Sequence, residues 1–387
     1  MGFLKNNLYL IEITFLIWSN TYIYLINGQD VDVSNNGDFM FITKDYEGVD
    51  NITFIGEDIS KTVENSQADD PAWLILFNRI QASVTTVGLV ANLMTFVTLK
   101  LNGSMFSPMV KVLLLHQSLI DAVVCLFATL ILAVPPMMVV GKNIVSLLIC
   151  QCWHSQAAYW CVMYISINNL VILAWERFMA ITKPFKHAEM GKGTIYKGIG
   201  CLYALSPLSM SLCFVQVHYL DGRCLPEFYF SSSEFKTIMT GFGIWCFLCL
   251  YAIPCAFFFL FYGGIVYTLV ARQRQTDLAQ SRVIDAATKQ LTRTAMVVTI
   301  WFIISLGYDC WYYMLGYAGV VIYIKNSAVQ KAGIFLAMSN SMANPLIYAL
   351  FMPAYRQSLR KTFRCSEAKS KTEASSVSSI ATVQSKI

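Results

Sequence analysis

The stretch NSMANPLIYALFMPAYRQSL, residues 340–359, sets Asn340, Asn344 and Pro345 into an apolar run and follows them with a basic, aromatic-rich segment. A side-chain amide inside an apolar helix is costly unless neighbouring groups supply hydrogen-bond partners, and proline interrupts the backbone bonding of a helix. The stretch therefore predicts a helix that packs among others bearing polar groups. The rest of the chain has to supply those groups.

The composition is that of a membrane protein: 56% of the 387 residues are hydrophobic, 13% are charged, and the mean hydropathy is +0.54. A helix needs roughly 20 apolar residues to cross the hydrocarbon core of a membrane. The stretches that meet this length are 73–99, 108–138, 148–175, 194–215, 238–270, 294–318 and 328–351. The prediction is an all-α membrane protein, a seven-transmembrane helix bundle within residues 72–351.

The basic residues predict the orientation, because lysine and arginine are retained on the cytoplasmic side of a membrane. One set of connections holds twelve of them, from Lys100 to Arg293, and the other set holds five, from Lys142 to Lys331. The first set is therefore placed inside. We expect the N-terminus outside the plasma membrane and the C-terminus in the cytoplasm.

The N-terminal part divides into two segments. Residues 1–28, with Lys5 before an apolar run, are expected to be a signal peptide, with an uncleaved segment as the alternative. Residues 29–71 hold eleven of the 23 acidic residues against two lysines, which predicts an acidic extracellular tail. Asn51 and Thr53 in that tail form a glycosylation sequon, so we expect a glycan at Asn51.

Three of the twelve cysteines lie at the predicted outer face, where the compartment is oxidising. Cys150 and Cys152 open the third span, and Cys224 lies in the long outer loop at about 216–237. A disulfide from Cys152 to Cys224 would hold that loop over the mouth of the bundle. Cys150 is the rival partner, and the spacing hardly separates the two.

Asp121 lies near the middle of the second span, where an ionised carboxylate is costly unless it faces polar partners. One interpretation is a hydrogen-bonded structural acid, and the other is an ion- or proton-sensitive switch. Polar residues recur at similar depth in other spans, and such a cluster can hydrogen-bond in more than one arrangement. The candidate partners are Asn92, Ser166, Asn340, Ser341 and Asn344.

Arg177 follows Glu176 at the inner end of the third span. An arginine that extends to the membrane surface from a helix end explains it in one interpretation. In the other, its guanidinium is a latch that pairs with Glu176 until a partner replaces it. In the fifth span Pro254, two turns from Tyr262, is expected to kink or loosen the helix.

Taken together, these residues resemble the rhodopsin-like (class A) family of G-protein-coupled receptors over about 73–365. The family signature is spread over several spans, in order. Its parts are GLVAN with Asn92, LIDAV with Asp121, Cys152 opening the third span, ERF with Arg177, Pro254 with Tyr262, and NPLIY with Asn344, Pro345 and Tyr348.

The resemblance implies a role for each of these positions. Asp121 with Ser166, Asn340 and Asn344 resembles a sodium-sensitive polar core, so Na+ is the ion it suggests; no other cofactor is expected. Arg177 resembles the latch that a heterotrimeric G protein engages, with Tyr262 and Tyr348 moving toward it on activation. The remaining members of the set are Asn344 and Pro345 as a deformable turn, and Pro184 and Phe185 as a contact for the Gα subunit.

The segment after the last span predicts a short amphipathic eighth helix, residues 352–365, lying on membrane lipid. Its apolar positions are Met352, Tyr355, Leu359 and Phe363, flanked by arginine and lysine. Cys365 is a candidate for palmitoylation. The Ser/Thr-rich tail, 366–387, is expected to be disordered, to offer sites for receptor kinases and arrestin, and to end in a pattern that suits a PDZ domain.

Some positions depart from the family pattern. In the sixth span Phe302 is in place, but Leu306 stands where the family has tryptophan and Tyr308 where it has proline. The fourth span lacks the tryptophan expected near its middle. The usual aromatic switch and the usual kink of the sixth helix are therefore open questions.

The outer half of the bundle predicts a ligand pocket with aromatic walls. Amine receptors of the family carry an aspartate where this chain has Tyr159, and light-sensing members carry a retinal-binding lysine where it has Met338. Both ligand types are therefore disfavoured. The predicted lining is Gln156, Tyr159, Trp160, Met163, Asp309, Tyr312, Tyr313, Ile334 and Met338.

Asp309 is the acid of this pocket, and we hypothesise that it pairs with a cationic group of the ligand. The acidic tail favours the same partner, so a peptide ligand is preferred, with a small lipophilic ligand as the alternative. A transporter or channel is a weaker alternative, because one deep acid without internal repeats is a poor match to a conduction path. No enzymatic motif and no nucleic-acid partner is indicated.

Overall fold

The computed structural model describes residues 72–133, 143–211, 213, 217–220, 223–226, 233–275, 282–321 and 327–363. The predicted signal peptide and acidic tail, Asn51, Cys365 and the C-terminal tail lie outside these described residues. The predictions made for them remain predictions.

The described chain is a bundle of seven long helices. They are α1 (Ala72–Asn102), α2 (Pro108–Ala133), α3 (Ala157–Thr182), α4 (Lys192–Ser209), α5 (Ser233–Phe247 and Ile253–Gln275, joined by the π-helical turn Leu248–Ala252), α6 (Arg282–Tyr317) and α7 (Ala328–Phe351). A further short helix covers residues 353–363. The predicted fold class, an all-helical seven-transmembrane bundle, is confirmed.

Six of these helices are long and apolar enough to cross a membrane, and α4 is the exception within the described residues. It has 18 residues, begins at Lys192 and ends at Ser209, six residues before the predicted end at 215. Pro207 lies in its last turn, and the backbone N–H of Met210 still bonds to Ser206 as the helix closes. The α-helix there is therefore shorter than the apolar run that predicted it.

The third span is not one continuous helix. A short helix, Ile144–Leu148, runs into the π-helical turn Ile149–His154, and α3 starts only at Ala157. Between them Gln156 has a left-handed backbone with a φ of 58°, and the Ser155 hydroxyl accepts a hydrogen bond from the N–H of Ala157. Cys152 therefore lies outside α3, which the apolar pattern did not reveal.

The long outer loop contains a β-hairpin that the sequence did not predict. Its strands are β1 (Val217–Leu220) and β2 (Arg223–Pro226), paired antiparallel with Tyr219 opposite Cys224. In α5 the structure shows the loosening that was expected at Pro254. The helix changes to a π-helical turn directly before Ile253 and Pro254, because proline supplies no backbone N–H.

The interior of the bundle is apolar above and below a polar layer. Leu113 of α2, Met163 of α3 and Phe302 of α6 are fully buried, and Phe302 meets Phe258 of α5 edge to face at 5.4 Å. Leu306 is also fully buried, so an aliphatic side chain fills the position of the family's tryptophan. The polar layer is centred on Asp121, which is fully buried.

Candidate functional site

Asp121 is fully buried at the centre of the bundle, and its carboxylate joins three helices. Its Oδ1 accepts a hydrogen bond from the Ser166 hydroxyl of α3 at 2.6 Å, and its Oδ2 accepts one from the Asn344 amide of α7 at 2.7 Å. Hydrogen bonds to a charged acceptor are about twice as strong as neutral ones. The three predicted core residues are thus brought together across α2, α3 and α7.

Two further members of this core were missed from the sequence. Gln117 Nε2 donates to Asp121 Oδ2 at 3.0 Å and to Ser166 Oγ at 2.8 Å, while its Oε1 accepts from Asn169 Nδ2 at 2.7 Å. The signal was present in the spacing, since Gln117 lies four residues before Asp121 and Asn169 three after Ser166. Residues three or four apart share one face of a helix.

The network continues from Asn169 to the outside of the bundle. Asn169 Oδ1 is 2.9 Å from Nδ1 of His116, and the other ring nitrogen of His116 is 3.2 Å from the hydroxyl of Tyr203 on α4. The two rings also meet edge to face at 5.7 Å. A line of polar contacts therefore runs from Asp121 to α4, the helix in which the family's tryptophan is missing.

Asn92 and Asn340 do not bond to Asp121. Asn92 donates to the backbone carbonyl of Ser341 at 2.9 Å and to that of Gly88 at 3.0 Å, so it ties α1 to α7 beside the core. Both polar atoms of the Asn340 side chain and the hydroxyl of Tyr348 are buried without a hydrogen-bond partner among the described residues. The inner half of α7 thus holds polar groups available for a second arrangement.

Near the C-terminal end of α3, the carboxylate of Glu176 is shared between the side chains of Arg177 and His187. Both of its carboxylate oxygens accept N–H donors of Arg177, and Oε1 is 2.8 Å from Nε2 of His187. His187 lies on the short loop helix Pro184–Glu189 that Pro184 opens. Arg177 is therefore paired with Glu176, the arrangement that the latch interpretation expects. His187 was missed because nothing in the sequence marks it. Phe185 of the same helix is 86% exposed.

The N-terminal half of α6 is held against the C-terminal end of α7. Gln290 and Thr294 both donate to the backbone carbonyl of Phe351 at 3.2 Å, and the guanidinium of Arg293 lies 5.7 Å from the centre of the Phe351 ring. Thr299 of α6 donates to the Tyr262 hydroxyl of α5 at 3.4 Å. These contacts keep α5, α6 and α7 together at the inner face.

In the outer half, Asp309 projects into a buried region beside Tyr159. Asp309 is 9% exposed, and one of its carboxylate oxygens lies 3.4 Å from the place that a Cβ at Gly333 of α7 would take. The Tyr159 hydroxyl is itself buried without a hydrogen-bond partner among the described residues. The outer half thus holds a buried acid, and a buried phenol whose hydrogen-bonding capacity is unused among the described residues.

The other residues predicted to line the pocket do not all lie together. Met163 and Met338 are buried in the same interior, and the Tyr159 ring meets Trp160 at 5.1 Å. Tyr313 instead packs against Phe242 of α5 and against Tyr317. The remaining members, Gln156, Tyr312 and Ile334, are partly exposed.

The disulfide prediction is wrong in its first cysteine. Cys150 is disulfide-bonded and fully buried, whereas Cys152 is a free, partly exposed thiol. Residues two apart lie on nearly opposite sides of a helical turn, so only one of this pair can face the packed outer loop. The π-helical turn that carries both contacts strand β1, and Cys150 is the one on its buried side. The side chain of Cys224 lies outside the described residues.

Comparison with known proteins agrees with this geometry. Residues 91–348 match the sequence profile of the 7 transmembrane receptor (rhodopsin family). Rhodopsin of Galeus melastomus is 29% identical over 238 residues, which cover 56% of this chain and 64% of the relative. Green-sensitive opsin-2 of Danio rerio is 23% identical over 234 residues, covering 55% and 64%. The match thus spans less than two thirds of these relatives' own length.

A profile match over 91–348 covers more than half of the chain. The protein therefore belongs to the rhodopsin family of seven-transmembrane receptors, the class A G-protein-coupled receptors. It is a multi-pass membrane protein of a receptor family, not an enzyme. The match establishes the family and the fold, and it does not identify the ligand.

Proposed function

We propose that this protein is a plasma-membrane receptor, with its N-terminus outside, that binds an extracellular ligand and activates a heterotrimeric G protein. The observation that carries the proposal is the closed latch at the inner face, in which Arg177 is held by Glu176 and Glu176 by His187. A G protein that takes the guanidinium of Arg177 would release both contacts. Arrestin, receptor kinases, membrane lipid and a PDZ protein are further partners that the cytoplasmic segment would serve.

The transmission path runs through the polar core. Asn344 connects Asp121 to the deformable turn at Pro345, and Tyr348 lies one turn further in with its hydroxyl unpaired among the described residues. A shift of α7 that exchanged these hydrogen bonds would move Tyr348 relative to Arg177. The two ends of the bundle are thereby coupled through one set of polar contacts.

The ligand class follows from Asp309. A buried acid that no described group neutralises attracts a cationic partner, and the apolar and aromatic surroundings strengthen the ion pair. A peptide with an arginine, a lysine or a free N-terminus supplies that charge. The relatives are opsins by name, but Met338 stands where light-sensing members carry lysine and has no amine for a Schiff base.

A small lipophilic ligand is the second candidate, favoured by the buried apolar side chains of Met163 and Met338 in the same interior as Tyr159. The two candidates differ in their dependence on Asp309. A cationic ligand requires its charge, whereas a neutral one does not.

The test uses purified receptor in lipid nanodiscs with a panel of Gα subunits and Gβγ, measuring nucleotide exchange. Synthetic cationic peptides and neutral lipid-like compounds are screened as ligands, and Arg177→Ala is the coupling control. For a cationic hit, Asp309→Asn is expected to lower potency about 100-fold at equal surface expression, since removing one partner of a buried ion pair costs several kcal/mol. Asp309→Glu keeps the charge and should retain most of the response.

Failure would be visible at two levels. If no Gα subunit exchanges nucleotide with any ligand while reconstituted vesicles move solute, the receptor proposal is wrong. If exchange occurs but Asp309→Asn leaves the potency of every hit unchanged, only the cationic ligand is wrong and the lipophilic ligand takes its place.

A further inference from the structure

The side-chain amide of Gln117 lies directly beside the carboxylate of Asp121, within hydrogen-bond distance of it. Gln117 is fully buried, and its Nε2 reaches both Asp121 Oδ2, at 3.0 Å, and Ser166 Oγ, at 2.8 Å. An ionised carboxylate only accepts hydrogen bonds. The end of the amide that faces Asp121 must therefore be its nitrogen, which carries the partial positive charge.

The opposite end of the same amide is fixed as well. Gln117 Oε1 accepts from Asn169 Nδ2 at 2.7 Å, and Asn169 is held in turn by the Leu113 carbonyl at 3.2 Å and by His116. Turning the amide over would set N–H against N–H on one side and oxygen against carboxylate on the other. Two buried groups would then lose their hydrogen bonds, which costs about 1–3 kcal/mol each.

The donor set at Asp121 does not suit sodium. A hard cation needs several oxygen ligands at once. Here the carboxylate accepts hydrogen bonds from two amide N–H donors, of Gln117 and Asn344, and from the Ser166 hydroxyl, while the Ser341 hydroxyl lies near it without a hydrogen bond among the described residues. A cation approaching Oδ2 would meet the positive ends of both amides, and only Gln117 is locked against turning its oxygen toward the ion.

We propose that the amide of Gln117 serves as a permanent substitute for a cation at Asp121, so that the polar core of this receptor is independent of sodium. Gln117 acts as a positioning residue: it neutralises part of the charge of Asp121 and holds Ser166 in place. The inference stands on the geometry of the core and does not depend on the identity of the ligand or of the G protein.

The test compares the thermal unfolding of purified full-length receptor in sodium chloride and in choline chloride at equal ionic strength. The wild type is expected to unfold at the same temperature in both salts. Gln117→Leu removes the amide and frees Oδ2, so sodium should raise its unfolding temperature by about 2–4 °C, as expected for a ligand that binds only the folded state. Adding Asp121→Asn to this variant should abolish the gain.

Gln81→Leu is the matched control, because Gln81 is a buried helix glutamine in α1 that donates to the Lys331 carbonyl at 3.3 Å, away from Asp121. It is expected to change the unfolding temperature without creating a difference between the salts. A purely structural role of Gln117 would give the same result for both variants.

Three results of this comparison would overturn the proposal. They are a sodium-specific stabilisation of the wild type, its absence from folded Gln117→Leu, or its appearance in Gln81→Leu. If Gln117→Leu does not fold, Gln117→Met replaces the amide by an apolar thioether of similar length. The ²³Na resonance provides a measurement that needs no variant. The wild-type receptor is expected not to broaden this line specifically. Broadening that no other monovalent cation competes away would also disprove the proposal.

Discussion

The ring of Tyr308 in α6 lies directly against the backbone of Gly333 in α7. A Cβ atom at position 333 would be 2.8 Å from two ring carbons of Tyr308 and 3.4 Å from a carboxylate oxygen of Asp309. The aromatic residue that stands in place of the family's proline is therefore accommodated by a missing side chain on the neighbouring helix. The α6 helix runs through this position without interruption, from Arg282 to Tyr317.

This contact predicts that Gly333→Ala is destabilising. The added methyl group must displace the Tyr308 ring, and overpacking of this kind typically costs about 1–3 kcal/mol. Thermal unfolding of the purified receptor measures the effect. Gly263→Ala in α5 is the control, since a Cβ there meets no atom within 4 Å, and alanine is the better helix former. Equal stability of the two variants would show that Tyr308 does not depend on Gly333.

The assignment of the disulfide to Cys150 predicts a clear difference between two neighbouring cysteines. Cys150→Ser removes the bond and should reduce the amount of folded receptor at the cell surface, because losing a native disulfide typically costs about 2–5 kcal/mol. Cys152→Ser changes a free thiol and should leave surface expression near the wild-type level. Flow cytometry with an N-terminal epitope tag measures both. The reverse ranking would restore the original assignment to Cys152.

The shared carboxylate at the inner face predicts increased basal activity when its charge is removed. Glu176→Gln weakens the hold on both Arg177 and His187, so basal nucleotide exchange should rise about two- to tenfold, equivalent to about 0.4–1.4 kcal/mol in the closed-to-open equilibrium. Glu189→Gln, at the exposed end of the loop helix, is the control and should have no effect. Basal exchange that is unchanged in Glu176→Gln would mean that this pairing does not hold the closed state.

A hydrogen bond between Thr95 of α1 and Tyr355 of the short helix at 353–363 predicts coupling between these elements. The two hydroxyl oxygens are 2.9 Å apart, and burial raises the pKa of Tyr355, which keeps the phenol protonated. Thr95→Val, Tyr355→Phe and the double variant form a double-mutant cycle. We expect a coupling energy of about 0.5–1.5 kcal/mol in unfolding experiments. Additive effects would show that the bond does not stabilise the helix.

The sequence was sufficient for the bundle and for the approximate composition of its core. Apolar runs of membrane-spanning length have one physical solution, a helix, because the lipid offers no partner for backbone N–H and C=O groups. The same cost makes a buried Asp121 and Asn344 informative, since each must find a partner inside the protein. Their pairing across 223 residues of chain follows the expectation that the polar residues at equal depth meet.

Other features were decided by contacts that no local pattern encodes. His187 is an ordinary polar residue in the sequence, and Gln117 is marked only by sharing a helix face with Asp121. Both matter because α3 and the loop helix bring Asn169 and Glu176 to them. The choice of Cys150 over Cys152 depends on a π-helical turn, and the apolar composition of that segment fits a regular helix equally well.

By itself, the sequence determined a membrane bundle of seven helices, with an acid in the second and an arginine near the C-terminal end of the third. The hydrocarbon core offers no hydrogen-bond partners to the backbone, so apolar segments of this length must be helical. For the same reason a charged side chain within them must find a polar partner or reach the membrane surface. Tertiary structure alone decided which amide nitrogen faces Asp121, which cysteine is bonded and which side chain shares Glu176. Each of these depends on the rotation and offset of one helix against another, and packing between distant segments sets those quantities.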